Sequence, residues 1–384
     1  MAVRPMTLLT KTITLSANSS WYLYNFRKTT LREALLRGYK VICISPEDSY
    51  HLKLIDMGCI HKPMNFYSSS KNPFLDFIIF LKFFLIYRKI KPDMAFHFTI
   101  KNNIYGTLAA RLLWIPAVNN VSGLGTAFIS FSLSSIIVKL LYKISQPFAY
   151  KVFCQNNEDY DYLINHKLVP KKNLALLPGS GVDLKRFNTN LNATANRNSI
   201  FTFLFAGRML KDKGVLELID AVRHVNQKKQ RCKLILCGFS DVDNISAINQ
   251  ETLNSFSLIQ GIEWIGPSDS IEEVLALVDC VVLPSYREGM PKILLEAGAM
   301  GLPSLASDVP GCRDVIQDGV NGLLFKPKNV QSLKKAIEHM LSMKDSERER
   351  MGSSAKRIIE KHFDETIVVN TFFSVLQEYE EGFN

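Results

Sequence analysis

At 384 residues, with 47% hydrophobic and 21% charged side chains, the chain has the composition of a globular protein with room for two domains of ordinary size. A disordered or fibrous protein is excluded. The formal net charge of +10 is lopsided: residues 1–170 carry 20 Lys and Arg against 9 Asp and Glu, whereas the remainder carries 26 against 27. A basic first half can face anionic lipid, a diphosphate or nucleic acid, or be a solvated surface with no partner. No run of about 18 uncharged apolar residues is present, so no transmembrane helix is expected, and the N-terminus lacks the pattern of a signal peptide. The seven cysteines show no CxxC and no metal-ligand spacing, which is the usage of reduced cytosolic thiols.

In chain order, MTLLTKTITL (6–15) reads as a first strand, SANSS (16–20) as a polar turn, and WYLYNFRKTTLREALLRG (21–38) as a helix that stops at Gly38. YKVICIS (39–45) is a second strand, and 50–58 a short helix. KNPFLDFIIFLKFFLIYRKIKPD (71–93) repeats Phe74, Phe77, Phe80, Leu81, Phe84 and Tyr87 at helical spacing, with Lys82, Arg88, Lys89 and Lys91 beside or after the apolar positions. It reads either as a helix that touches a membrane surface or as a core-facing helix of an α/β layer. DMAFHFT (93–99) is a strand that carries His97 to its end. A helix follows over 100–114, and IPAVNNVSGLGTAF (115–128) is a strand running into a loop. KVFCQN (151–156) and LALLPGSG (174–181) add short strands.

NTNLNATANRNS (188–199) is polar, Asn-rich and aperiodic, so 188–200 is expected to be a linker between a first domain over 1–187 and a second over 201–365. Residues 366–384 are expected to form a C-terminal helix that packs back on the first domain. After the linker come FTFLFAG (201–207), a helix from Val215, KLILCG (233–238), a helix near 270–278, CVVLPS (280–285), a helix after Pro291, PSLAS (303–307) and GLLFKP (322–327). Strands that alternate with helices predict parallel sheets covered on both faces.

In open α/β sheets, ligands gather beyond the carboxyl ends of the strands. In the second half, Arg208 and Lys213 follow one strand and Glu288 follows another, while Glu296 lies on the helix that starts near Pro291. Two cations, a helix N-terminus able to hold a diphosphate, and two acids able to hold hydroxyls suit a sugar nucleotide. Each residue alone would be an ordinary surface group; their joint occurrence carries the reading. His97 competes with a buried histidine satisfied by backbone. No GxGxxG follows a predicted strand, which argues against an NAD enzyme.

GRMLKDKG (207–214), the Glu288-x7-Glu296 stretch, DVPGCRDVIQDGVNGLLF (308–325) and LPGSGVDLKRF (177–187) together resemble the retaining nucleotide-sugar glycosyltransferases of family 4. HFTIKNNIYGTLAARLLWIPAVNNVSGLG (97–125) is similar to the subset that extends bacterial surface glycans on a lipid carrier. The resemblance covers nearly the whole chain. SANSS departs from the glycine-rich turn that many relatives have after the first strand. The resemblance implies the GT-B fold: α/β, with two Rossmann-like domains facing each other across a cleft. It implies that Arg208 and Lys213 contact the donor diphosphate, that Glu296 binds the ribose, and that Glu288 with the backbone at Gly289, Met290 and Pro291 holds the transferred sugar. His97 would face the reacting sugar, with Lys101, Gly123 and Gly125 on the acceptor side.

The expected activity is retaining transfer of N-acetylgalactosamine or another N-acetylhexosamine from a UDP-sugar to an undecaprenyl-diphosphate-linked saccharide. No metal or other cofactor and no nucleic acid are expected. The expected site of action is the cytoplasmic face of the inner membrane, against an anionic surface. The alternatives are a hexosyltransferase using UDP-galactose, UDP-glucose or a GDP-sugar, and, from the basic first half alone, a membrane- or nucleic-acid-binding protein that is not an enzyme.

Overall fold

The computed structural model describes residues 11–66, 72–124, 133–188, 200–227, 232–240, 244 and 246–382. The chain divides into two compact units, one made of Met1–Leu177 and Val368–Asn384, the other of Pro178–Ile367.

The first unit contains seven strands: β1 (Thr12–Ser16), β2 (Lys40–Ser45), β3 (Ile60–Pro63), β4 (Met94–Phe98), β5 (Ala117–Val121), β6 (Lys151–Cys154) and β7 (Leu174–Leu176). They form one sheet in the order 3-2-1-4-5-6-7, with parallel pairing throughout. Its helices are α1 (Ser20–Leu36), α2 (His51–Asp56), α3 (Pro73–Ile90), α4 (Thr107–Leu112), α5 (Leu133–Ser145) and α6 (Asn157–Asn165). Strands buried on both faces are mostly apolar or small, as a doubly covered parallel sheet requires, with His97, Asn119 and Asn120 as buried polar exceptions. Ser19 starts α1 by accepting from Tyr22 N, and Asn72 starts α3 by accepting from Phe74 N.

The second unit holds β8 (Thr202–Ala206), β9 (Lys233–Cys237), β10 (Ile262–Trp264), β11 (Cys280–Leu283), β12 (Ser304–Ser307) and β13 (Gly322–Phe325), again a parallel sheet, in the order 10-9-8-11-12-13. Its helices are α7 (Val215–Gln227), α8 (Gln250–Phe256), α9 (Ile271–Leu275), α10 (Lys292–Ala299), α11 (Cys312–Val315), α12 (Val330–Ser342) and α13 (Asp345–His362). A last helix, α14 (Glu365–Glu381), buries Val368, Val369, Phe372, Phe373 and Leu376 in the core of the first unit. There Arg27 of α1 is fully buried. Its guanidinium lies 4.6 Å from the Phe98 ring centroid and 5.5 Å from that of Phe372, with no hydrogen bond.

The boundary differs from the sequence expectation. Residues 178–187 belong to the second unit, where Val182 bridges Asp364 and Phe187 shares a core with Phe203. Most of the expected linker lies outside the described residues. The apolar positions of α3 also divide differently from the single stripe read in the sequence. Ile79, Phe83 and Tyr87 are its core face, whereas Phe74, Phe77, Leu81 and Leu85 are exposed. Helix α5 and strands β3 and β10 are absent from the sequence reading.

Gly352 sits inside α13, where glycine is ordinarily about 1 kcal/mol worse than alanine. A Cβ there would lie 1.9 Å from the Gly301 carbonyl oxygen, just past the end of α10. The close approach of the two helices therefore reverses the usual sign. Gly352→Ala is expected to lower stability by roughly 2 kcal/mol, measured by urea unfolding; a variant as stable as wild type or more so would remove this packing from the account.

Candidate functional site

In each sheet the strand order reverses between two neighbours, β1 and β4 in the first unit and β8 and β11 in the second. Such switch points open a crevice beyond the strand carboxyl ends.

In the second unit, β8 leads through Gly207 and Arg208 to a 3-10 turn at Lys211–Lys213, Gly214 and α7. Strand β11 leads through 284–291 to α10, with Pro291 as its N-cap. The two loops are locked together. Gly214 has φ +72°, and a Cβ on it would lie 2.1 Å from the Pro284 carbonyl oxygen. Tyr286 N–H donates to the Asp212 carbonyl at 2.9 Å, and the Tyr286 hydroxyl donates to Glu217 of α7. Burial and that carboxylate push the Tyr286 phenol up to about 12, so it stays a donor at any physiological pH.

This bracing places Lys213 Nζ 2.5 Å from Glu288 Oε1. Ser285 Oγ donates to the same oxygen at 2.6 Å. Oε2 has no hydrogen-bond partner among the described residues. The two side chains are 21% and 12% exposed. Removing two charges from water offsets much of their attraction, so a pair at this depth contributes little net stability. What it fixes is direction: one carboxylate oxygen is held, and the other is left to a ligand.

Glu296 lies on α10 and is 7% exposed, with Lys292 Nζ at 3.6 Å one turn earlier. Burial raises its pKa, and Lys292 and Arg186 oppose the rise. Arg186 was missed in the sequence; its Nη2 donates to Glu272 Oε2 at 2.6 Å and to the Asp269 carbonyl at 2.8 Å. The Arg208 side chain is exposed and makes no hydrogen bond or ion pair among the described residues. Gly289 and Met290 are half-buried, Pro291 is buried, and Met290 packs over Gly179. Thus the structure joins Lys213, Ser285 and Glu288, sets Glu296 beside Lys292, and leaves Arg208 unengaged.

In the first unit the expectation for His97 is corrected. Its side chain is 0% exposed, enclosed by other side chains and not presented at a strand end. Asn119 Nδ2 donates to Thr107 Oγ1 and Gln146 Oε1, both at 2.8 Å, so Asn119 Oδ1 is an acceptor. It lies 2.8 Å from His97 Nδ1, which therefore carries the proton. His97 Nε2 accepts from the Tyr87 hydroxyl at 2.8 Å. The partners are side chains rather than backbone. Burial lowers the His97 pKa to about 4, so the ring is a neutral strut.

Lys101 is likewise not a free cation. Asp76 accepts from it at 2.8 Å and from the Tyr105 hydroxyl at 2.9 Å. Gly123 is half-buried with φ +130°; Gly125 lies outside the described residues. Among the described residues no group of three or more His, Cys, Asp or Glu could hold a metal ion, and all seven cysteines are free and buried.

Two Rossmann-like α/β units, each a parallel sheet with a switch point, are the architecture of the GT-B fold. Residues 187–358 match the family model of glycosyl transferases group 1, and residues 12–156 match that of glycosyl transferase 4-like. The chain thus pairs a glycosyl transferase 4-like first half with a glycosyl transferases group 1 second half.

The chain is 27% identical over 368 residues to N,N'-diacetylbacillosaminyl-diphospho-undecaprenol alpha-1,3-N-acetylgalactosaminyltransferase of Campylobacter jejuni, covering 92% of this chain and 95% of that protein. It is 29% identical over 271 residues to UDP-Gal:alpha-D-GlcNAc-diphosphoundecaprenol alpha-1,3-galactosyltransferase of Escherichia coli, covering 67% and 68%. Anabaena HepE in complex with UDP and glucose superposes with a TM-score of 0.77 at 16% identity, covering 96% of this chain and 100% of that one; at that identity the likeness is one of fold.

The buried neutral His97 has a consequence for stability. Its folded value of about 4 lies below the ordinary 6.5, so the folded protein binds the proton less readily than the unfolded chain. The contribution is whole above pH 6.5 and drains as pH falls toward 4, by about 3 kcal/mol. Urea unfolding at pH 7 and pH 4 is expected to show a smaller loss for His97→Gln than for wild type; equal losses would show that His97 is not the buried titrating group.

Proposed function

We propose that the enzyme transfers N-acetylgalactosamine, with retention at the anomeric carbon, from its UDP-sugar to a saccharide on undecaprenyl diphosphate. The observation that carries this reading is the fixed Glu288 carboxylate at the β8/β11 switch point, one oxygen held by Lys213 and Ser285 and the other open. The names of the Campylobacter and Escherichia relatives support the lipid-diphosphate acceptor, and the longer of the two matches supports the N-acetylhexosamine.

In this reading Lys213, Arg208 and the N-terminus of α10 face the donor diphosphate and neutralise the charge that grows as UDP leaves. They supply the positive charge that a metal ion supplies in other transferases. Glu288 Oε2 and the backbone at Gly289, Met290 and Pro291 hold the sugar, and Glu296 accepts from the ribose hydroxyls. The C1–O bond to UDP breaks and its electron pair leaves with the diphosphate. The acceptor hydroxyl oxygen bonds to C1 on the same face, and its proton passes to a departing phosphate oxygen. Glu288 is a holder of the sugar, not a nucleophile.

The first unit is proposed to rest on the anionic cytoplasmic face of the inner membrane. No helix of the described residues is long and apolar enough to cross a membrane. Helix α5 buries Ser135, Tyr142 and Ser145 yet exposes Ile136, Ile137, Leu140 and Ile144, with Lys139 and Lys143 along one flank. With Val138, Leu141 and Tyr142 packed on the core, the helix is apolar on its outer as well as its inner face. The exposed Phe74, Phe77, Leu81 and Leu85 of α3 add a second apolar face, followed by Arg88 and Lys89.

The test is label transfer from UDP-N-acetylgalactosamine, UDP-galactose and UDP-glucose into organic-extractable product, using membranes that contain undecaprenyl-diphosphate-linked sugars. Label is expected in lipid from UDP-N-acetylgalactosamine; labelling from UDP-galactose alone would make the enzyme a hexosyltransferase, and no labelled lipid from any donor would contradict the acceptor. Glu288→Gln is expected to reduce transfer at least about a hundredfold with unchanged melting temperature; full activity would remove Glu288 from the mechanism. Ile136→Ser, Leu140→Ser and Ile144→Ser together are expected to weaken binding to anionic liposomes at least about tenfold. Unchanged co-sedimentation would show that α5 does not meet the bilayer.

A further inference from the structure

The first unit contains a cavity of about 610 Å³ whose walls lie at the opposite edge of the sheet from the switch-point crevice: Lys11 precedes β1, Asp93 precedes β4 and Pro116 precedes β5. Its volume is that of a small-molecule site, which spans about 300–1,000 Å³.

Two residues at this cavity have the backbone of a left-handed turn. Lys91 ends α3 with φ +49°, its N–H bonded to the Tyr87 carbonyl at 2.8 Å, and Trp114 follows α4 with φ +59°, its N–H bonded to the Arg111 carbonyl at 3.3 Å. Such helix-ending positions ordinarily hold glycine, because a Cβ there costs about 1 kcal/mol. Two neighbouring helices thus both end, at this one cavity, on a side chain where glycine would be more stable. Backbone strain of this kind gathers at ligand sites.

The charges around the cavity are only partly matched. Lys11 pairs with Glu380 at 2.7 Å, and Asp93 is held by the Thr12 N–H at 2.7 Å. Arg88 and Lys91 have no acidic partner among the described residues. The lining also includes the 80% exposed Trp114 and an apolar set, Leu113, Ile115 and Leu376, that serves as the floor in the account below. Leu85, one turn before Arg88 on the same side of α3, extends the apolar surface outward.

We propose that this cavity binds an anionic amphiphile, with a phosphate ester held by Arg88 and Lys91 and its apolar chain lying on the floor beside the Trp114 indole. A neutral sugar would have no use for two unmatched cations, and a free phosphate would have no use for the floor. An anionic phospholipid has both parts, and an indole beside basic side chains is the pairing expected where a headgroup meets hydrocarbon. The inference extends the reading that this unit meets a lipid surface. It does not rest on the transferase reading, since the cavity is at the other end of the strands from Lys213 and its counterparts.

The chain has three tryptophans, and Trp114 is the exposed one at this cavity, so it reports binding directly. Purified full-length protein is titrated with dihexanoyl phosphatidylglycerol below its micelle concentration while tryptophan emission is followed. The account expects a saturable blue shift that is absent in Trp114→Phe and weakened about tenfold in Arg88→Gln/Lys91→Gly. Lys91→Gly alone is expected to melt at the same or a higher temperature than wild type while binding more weakly, which shows that the lysine is not kept for the fold. An equal shift with dihexanoyl phosphatidylcholine would overturn the anionic specificity. An equal shift with glycerol 3-phosphate would make this a free-phosphate site and overturn the lipid. The absence of any saturable shift would overturn the site. None of these readouts requires a sugar donor or acceptor, so they stand apart from the outcome of the transfer assay.

Discussion

A carboxylate proposed to hold a sugar has to be aimed and kept from spending both its oxygens on the nearest cation. In the second unit these demands meet at Glu288, where Lys213 and Ser285 share one oxygen and leave the other open. The pair is possible only because two loops from different strands are held in register. Gly214 leaves no side chain between its backbone and Pro284, and Tyr286 is tied to Asp212 and Glu217. The parallel sheet sets the distance between those loops, because β8 and β11 are neighbours at the point where strand order reverses. The chemistry proposed for the enzyme depends on that geometry more than on the charge of any one residue.

The first unit solves a different problem. Its polar groups at the end of β4 and β5 are mostly consumed in a buried network that runs from Tyr87 through His97 and Asn119 to Gln146. A neutral histidine with both ring nitrogens engaged ties β4 to α3 and β5. The unit's outward faces are instead apolar and basic, on α3 and α5. The surplus of positive charge in the first half of the sequence lies in the same unit as this exposed hydrocarbon, the combination on which the proposal of a bilayer surface rests.

Strand and helix alternation, the restart of that pattern after the Asn-rich stretch, and the Glu288-x7-Glu296 spacing were all legible in the sequence, because each is local. The side-chain environment of His97 was not. Position at a strand end is readable from the pattern, whereas burial depends on Tyr87, Asn119 and Thr107 arriving from other elements. Lys101 shows the same limit, since its neutralising partner Asp76 is on another helix. The α3 face failed for a subtler reason. A helix apolar nearly all round has no contrast in its sequence, so its periodicity does not say which stripe turns inward. Arg186 lies within the quoted 177–187 segment, but nothing local marks it as a site residue, and only its placement beside the α9 and α10 helices reveals it. The domain boundary was placed late because polar composition marks an irregular segment, while membership of a unit is decided by packing, as for Phe187.

The central claim is that Lys213 and Glu288 act on the donor as one unit. It is tested most directly by titration calorimetry of UDP-N-acetylgalactosamine with wild type, Lys213→Gln, Glu288→Gln and the double variant. The account predicts that each single change weakens binding and that the double change costs less than their sum, with a coupling of about 1–3 kcal/mol. Losses that add to within about 0.5 kcal/mol, or affinities that do not change, would contradict it.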